Sequence, residues 1–285
     1  MHWIRRTHFT LPALLFATAM PSARAQSDTA SRSTVQLFTL NDGVLATGVI
    51  FAALLARRAD EHYAGRLQDS STQANEKLHK LATFVRTTAA PGAFIIGTTM
   101  YVTGRVTKEE HLAELGLHGT EALLLGEFAG GVLKGLIGRQ RPYVTPQNSH
   151  SFGFLRGFGG GDKYRSFPSG HSLAAFAAAA AVSSETSEWW PSTRWIIGPA
   201  MFGGATLTAV SRMYDNRHWA SDVIVGAGLG TFAGLKVVRY NNAHPGNRID
   251  KLLLTGSLIP TADGGHTLKW SLVPGVSIGR PSRAP

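Results

Sequence analysis

The 285-residue chain is 44% hydrophobic and only 16% charged, contains no cysteine and carries a formal charge of +10. The missing cysteine excludes disulfides, thiolate metal sites and cysteine nucleophiles. The basic excess calls for an anionic partner. Its arginines are dispersed and no aromatic-basic platform accompanies them, so a phosphate-bearing small substrate fits better than nucleic acid.

The first residues have the layout of an export signal. Arg5 and Arg6 precede a short apolar run over 11–20, and Ala23-Arg24-Ala25 forms a small-x-small cleavage site. A cleaved signal peptide over 1–25 is expected, with an uncut first anchor as the alternative. Cleavage would remove three arginines and no acids, leaving +7. A polar Ser/Thr-rich leader follows to about residue 40, then a helical domain over 41–245 and a tail over 246–285.

Six apolar stretches, over 42–57, 90–102, 121–137, 172–183, 195–210 and 222–238, are rich in Ala, Gly, Leu and Val without strict alternation. Each reads as a buried helix, so the fold class is an all-α bundle of about six core helices. Between the first two, 75–86 is polar with Leu78, Leu81 and Val85 at helical spacing, which predicts an amphipathic surface helix. The 140–168 segment is irregular, with Pro142, Pro146 and the glycine-rich run 157–161, which would suit a lip over a site or a plain loop. Trp189-Trp190-Pro191 predicts a helix-ending turn. In the tail, alternation over 267–273 after Asp263-Gly264-Gly265 predicts a small β-hairpin with 251–259.

The apolar runs are mostly about 12 to 17 residues, or roughly 18–25 Å at 1.5 Å per residue. A membrane crossing needs about 20 residues. This favours a bundle folded outside the inner membrane, in the periplasm or another extracytoplasmic space and associated with the membrane surface. An integral six-span protein is the alternative. Oligomeric state is not legible.

Three blocks carry chemistry. In Lys134-Gly-Leu-Ile-Gly-Arg-Gln-Arg141-Pro142, two cations seven apart can converge on one anion when the chain turns between them. The bland alternative is basic residues suited to a helix C-terminus. In Phe167-Pro168-Ser169-Gly170-His171-Ser172, a helix start offers free N–H groups. Gly170 allows close backbone approach, and His171 could give a proton to a leaving oxygen. Alternatively, Ser169 is only a helix cap and His171 only surface. In Ser211-Arg212 through His218 to Asp222, His218 could be a nucleophile, with Asp222 at i+4 fixing its ring and Arg212 completing the clamp. The bland alternative pairs Arg212 with Asp222 and leaves His218 a bystander. His111, His118 and His150 are expected at the surface, and no metal is expected.

Taken together in this order, the blocks read Lys-x6-Arg-Pro, Pro-Ser-Gly-His and Ser-Arg-x5-His-x3-Asp. The chain thereby resembles the type 2 phosphatidic-acid phosphatase and vanadium haloperoxidase superfamily, over roughly residues 90–240. The resemblance implies an all-α bundle and a phosphohistidine intermediate formed without a metal. Position by position, it implies that Lys134, Arg141, Ser169, Gly170 and Arg212 bind phosphate. It likewise implies that His218 attacks, His171 protonates the leaving group and Asp222 supports His218. The Phe-Pro-Ser-Gly-His-Ser context resembles the lipid-phosphatase branch, which makes a lipid phosphate or diphosphate the expected substrate. Alternatives are a soluble acid phosphatase, a vanadate-dependent haloperoxidase with vanadate as its cofactor, and a non-catalytic phosphate-binding or transport protein.

Overall fold

A computed structural model describes residues 36–244, 247 and 249–250, and the backbone of two strands beyond them. The expected signal peptide and most of the expected leader lie outside the described residues. The helices, in chain order, are α1 (Leu40–Arg57), α2 (Asp60–Leu67), α3 (Ser70–Gln73), α4 (Glu76–Thr87), α5 (Ala93–Thr107), α6 (Glu110–Ile137), α7 (Arg156–Gly159), α8 (Gly170–Trp189), α9 (Arg194–Tyr214) and α10 (Ala220–Ala243). The described body is therefore helical. Strands β1 (Gly256–Pro260) and β2 (His266–Trp270) pair antiparallel, Leu258 opposite Leu268.

Five of the six apolar stretches fall wholly on helices, and the other, 90–102, starts at the extended residue Ala90, three residues before α5; the helices are longer than the runs. α6 has 28 residues, α8 20, α9 21 and α10 24. At about 1.5 Å per residue these reach roughly 30–42 Å. The apolar runs stopped early at Glu, Ser, Thr and His, which a helix accommodates without interruption. The expected shortness is thus corrected: α1 and α10 are both long and apolar enough to cross a membrane. α4 starts where the polar stretch was expected, with the Asn75 side chain accepting from the amides of Lys77 and Leu78. α8 ends at Trp189, and Pro191 opens a short 3-10 turn.

α8 is the central helix. α6, α9 and α10 pack on it, α5 packs on α6, α1 on α10 and α4 on α9. α8 can be central because its middle is almost all alanine, with Ala177, Ala179 and Ala181 at 0% exposure. α10 meets it along a seam of Gly226, Gly230 and Gly234, each four apart and so on one face. A Cβ at Gly230 would overlap the Leu173 carbonyl and the Ala177 amide. Small residues at this spacing let two backbones approach closely. The seam places the start of α10 beside the start of α8, where the Ser169 amide donates to the Asp222 carbonyl at 3.0 Å.

Two expectations about burial need correction. α1 was read as a buried helix, yet Leu40, Val44, Ile50, Phe51, Leu54 and Leu55 are all exposed. Its apolar residues surround the whole helix, while only the side bearing Val49 meets α10 at Gly228. Similar exposed apolar residues line α5 (Phe94, Ile95, Ile96), α6 (Leu124, Leu125, Phe128) and α9 (Trp195, Ile196, Leu207). His118 was expected at the surface and is instead 3% exposed. Its Nδ1 lies 2.5 Å from Glu185 and its Nε2 3.6 Å from Asp250, so two carboxylates offset its burial. His111 and His150 are exposed, as expected.

Tight packing at one position and open space at another predict opposite signs for two glycine substitutions. Gly230→Val should lower stability by about 1–3 kcal/mol through overpacking. Gly204→Ala, on α9 with nothing within 4 Å of its added methyl, should raise it by about 0.5–1 kcal/mol. Thermal midpoints of the purified protein check both.

Candidate active site

The three blocks meet at one end of the bundle because of how their helices stop and start. α6 ends at Gly138, whose left-handed φ of 53° lets its amide donate back to the Lys134 carbonyl. This turn sends the next residues inward rather than along the helix axis. Arg141 follows, its amide bonded to the Lys163 carbonyl. Arg212 lies on the last turn of α9, His218 in the tight turn before α10, and His171 on the first turn of α8.

Lys134, Arg141, Gly170, His171, Arg212 and His218 line one cleft of about 310 Å³. Ser169 and Asp222 are not among the lining residues. Both are at 0% exposure. The Ser169 oxygen is committed to the α8 cap, accepting from the Ser172 amide at 3.4 Å and hydroxyl at 2.9 Å. A Cβ at Gly170 would meet the Lys134 Nζ and the Glu127 carboxylate, so glycine leaves those side chains room in the cleft. The alternative pairing of Arg212 with Asp222 does not form. Arg212 pairs with Asp215 at 2.6 Å, and Arg86 of α4 shares that carboxylate at 3.0 Å.

The orientation of His218 follows from its neighbours. Its Nδ1 is 2.6 Å from the Ser166 carbonyl. A carbonyl oxygen only accepts, so Nδ1 carries the proton and Nε2 carries the lone pair, which accepts a long bond from Arg141. Nε2 sits 3.4 Å from an Arg141 nitrogen, facing the cleft. Asp222 stands 3.8 Å from Nδ1, beyond direct hydrogen-bond range. It acts through its own bonds: its carboxylate accepts from the Ser166 hydroxyl at 2.5 Å, the Trp219 amide at 2.9 Å and Arg139 at 2.5 Å.

Burial lowers the His218 pKa to about 4; Asp222 pulls it up, and the Arg141 and Arg212 charges push it down. Burial also lowers His171 to about 3, reinforced by Arg212, His218, Lys134 and Arg141. Burial beside these cations therefore keeps both imidazoles neutral. Arg141 is held by Asp162, which accepts through its carbonyl at 2.9 Å and its carboxylate at 2.8 Å. The glycine-rich run 157–161 is partly ordered into α7, with Gly157 against the Lys134 carbonyl.

Arg139, Ser166 and Glu127 were missed in the sequence. Arg139 lies two residues before Arg141, so the block held a usable signal. Glu127 lines the cleft two turns before Lys134 on the same helix face. It can accept from a hydroxyl or ammonium on an incoming molecule, and it repels surplus negative charge. Ser166 carries no local signal. The arrangement as a whole can hold a tetrahedral anion between three cations, with one imidazole lone pair and a second imidazole beside it. Among the described residues, no group of three or more His, Asp or Glu could hold a metal ion.

The family model described as PAP2 superfamily matches residues 117–245. A stretch of 88 residues, 30% of this chain, is 39% identical to the Lipid A 1-phosphatase of Porphyromonas gingivalis and covers 18% of that protein. Another 88-residue match, 31% of this chain, is 32% identical to the Undecaprenyl-diphosphatase of Sulfolobus acidocaldarius and covers 39% of it. The chain thus spans well under half the length of these relatives. The fold resembles a transmembrane PAP2-type phosphatidylglycerolphosphate phosphatase from Bacillus subtilis. The TM-score is 0.52 at 19% identity, covering 74% of this chain and 99% of that one.

The lowered His218 pKa has a thermodynamic sign. Between pH 6.5 and about 4 the unfolded imidazole binds a proton that the folded one refuses, so His218 lowers stability as pH falls through that window. Histidine-selective NMR should find His218 neutral with its proton on Nδ1 down to about pH 4. Unfolding measured across the window should show a smaller loss in His218→Gln.

Proposed function

We propose that this chain is a member of the PAP2 superfamily, whose family model matches residues 117–245, and a membrane-associated lipid-phosphate phosphatase working through a phosphohistidine. One observation carries the reading. Lys134, Arg141, Arg212, His171 and His218 line a single cleft, and the His218 Nε2 faces Arg141 in it.

Phosphoryl transfer spreads charge over the equatorial oxygens, so fixed cations supply most of the stabilisation and no metal is required. The His218 Nε2 lone pair forms a bond to phosphorus as the bond to the leaving oxygen breaks. That oxygen takes a proton from His171. Water then attacks the phosphohistidine, giving its proton to His171, and phosphate leaves with His218 restored. His171 is neutral because of burial and the cations around it. A bound phosphate dianion cancels those cations and raises the His171 pKa, so His171 takes up a proton from solvent as the substrate binds. Gly170 and the open amides of the α8 start add dipole stabilisation. Ser169 serves by holding that helix start.

A lipid-linked substrate is supported by two features. Both relatives named above act on lipid phosphates by name. The exposed apolar faces of α1, α5, α6 and α9 suit contact with lipid better than with water. Export to the periplasm, a cleaved signal, a helical domain ending near 245 and a C-terminal hairpin remain part of the reading. The β1–β2 pairing supports the last.

A panel of phosphatidate, phosphatidylglycerophosphate, polyprenyl diphosphate and a soluble chromogenic monoester tests it, with wild type beside His218→Ala. At least one lipid should be hydrolysed faster than the soluble ester, and His218→Ala should lose more than about 10³ in kcat. Hydrolysis unaltered in the variant would overturn the mechanism. Preference for the soluble ester would overturn the substrate class.

A further inference from the structure

We propose that Asp60, on α2 and outside the family-matched stretch, is a positioning residue for His218 that makes the buried network behind it net anionic. The inference rests on the phosphohistidine reading and adds to it a group that none of the three blocks contains.

Asp60 is fully buried. One carboxylate oxygen accepts from Arg139 at 2.7 Å and from the Ser221 hydroxyl at 2.6 Å. The other accepts from the Ser221 amide at 2.9 Å. Burial raises its pKa, and Arg139 and Ser221 oppose the rise. Each of these bonds reaches it from a donor, which is the environment of an ionised carboxylate. Arg139 is 1% exposed and has its remaining donors on the Ser149 carbonyl, the Ser221 hydroxyl and Asp222. Its guanidinium lies over the rings of Phe152 and Trp219, at 4.9 and 5.5 Å. Arg139 therefore sits between two buried carboxylates, Asp60 on one side and Asp222 on the other.

The charges decide the role. Arg139 alone would neutralise Asp222 and leave nothing negative behind the nucleophile. With Asp60 present, the three groups carry one net negative charge. When Nε2 bonds to phosphorus while Nδ1 keeps its proton, the ring becomes a cation. The net charge of the network answers that cation, which exists only after attack has begun. Such stabilisation acts on the transition state more than on bound substrate. Geometry is served as well, since Asp60 fixes Ser221 and Arg139, Arg139 fixes Asp222, and Asp222 fixes the Ser166 loop whose carbonyl orients His218.

Steady-state and single-turnover kinetics on the best substrate of the panel test this in three variants. Asp60→Asn keeps the shape and removes the charge. It should lower kcat and the rate of phosphoenzyme formation by about tenfold or more, a change of about 1.4 kcal/mol or more in barrier, with KM within about twofold. Asp60→Asn combined with Arg139→Gln restores one net negative charge and should recover part of the loss. Ser221→Ala removes hydrogen bonds but no charge, and should cost less than Asp60→Asn. If the double variant is slower than the single one, or Ser221→Ala costs as much, Asp60 is only structural. Normal kcat in Asp60→Asn with His218→Ala inactive would overturn this inference alone. A wild type that hydrolyses nothing in the panel would overturn the phosphatase reading beneath it.

Discussion

The Asp222 carboxylate is wholly buried and accepts from Arg139, Ser166 and Trp219. Those donors come from the turn after α6, the loop before α8 and the turn before α10. Each of those segments also delivers a residue to the cleft or orients one. A buried carboxylate without its partners is costly, and removing one partner of a buried pair typically costs about 3–5 kcal/mol. The three segments are therefore held in one arrangement by the need to satisfy a single charge. The cleft inherits its shape from that arrangement.

Helix packing makes the arrangement reachable. The glycine seam of α10 lies directly against the backbone of α8. Larger residues would separate the helices and carry Asp222 away from the Ser166 loop. α6 enters through its left-handed turn at Gly138, and α9 through the last-turn Arg212, which Asp215 holds. Alanine and glycine thus do positional work here, while the polar ends of the same helices supply the chemistry. The exposed apolar faces lie on the outer helices, leaving the polar network at one end.

Electrostatics in the cleft is a balance of desolvation against paired charge. Three cations lie close together, Arg141 beside Asp162, Arg212 beside Asp215 and Lys134 near Glu127, and two imidazoles among them are held neutral. A cleft of this kind suits an anion, because an anion relieves the mutual repulsion of the cations. The same crowding keeps the His218 lone pair available at neutral pH. Asp162 at the mouth holds Arg141 in place without filling the interior.

Local features of the chain were sufficient for the helical class, the six apolar stretches, the Asn75 and Trp189-Trp190-Pro191 helix ends, and the convergence of Lys134, Arg141, His171, Arg212 and His218. Those depend on residue type and on spacings of a few positions, which the chain carries by itself. Tertiary structure decided the rest. It moved Ser169 from anion ligand to cap, took Asp222 out of direct contact with His218, buried His118 and exposed α1. It also recruited Arg139, Ser166 and Glu127, none of which local pattern singled out. Arg139 and Asp222 are 83 residues apart, and Asp60 and Ser221 are 161 apart. No local periodicity reports on partners so distant, because a buried charge chooses whichever donors the packed helices bring within about 3 Å.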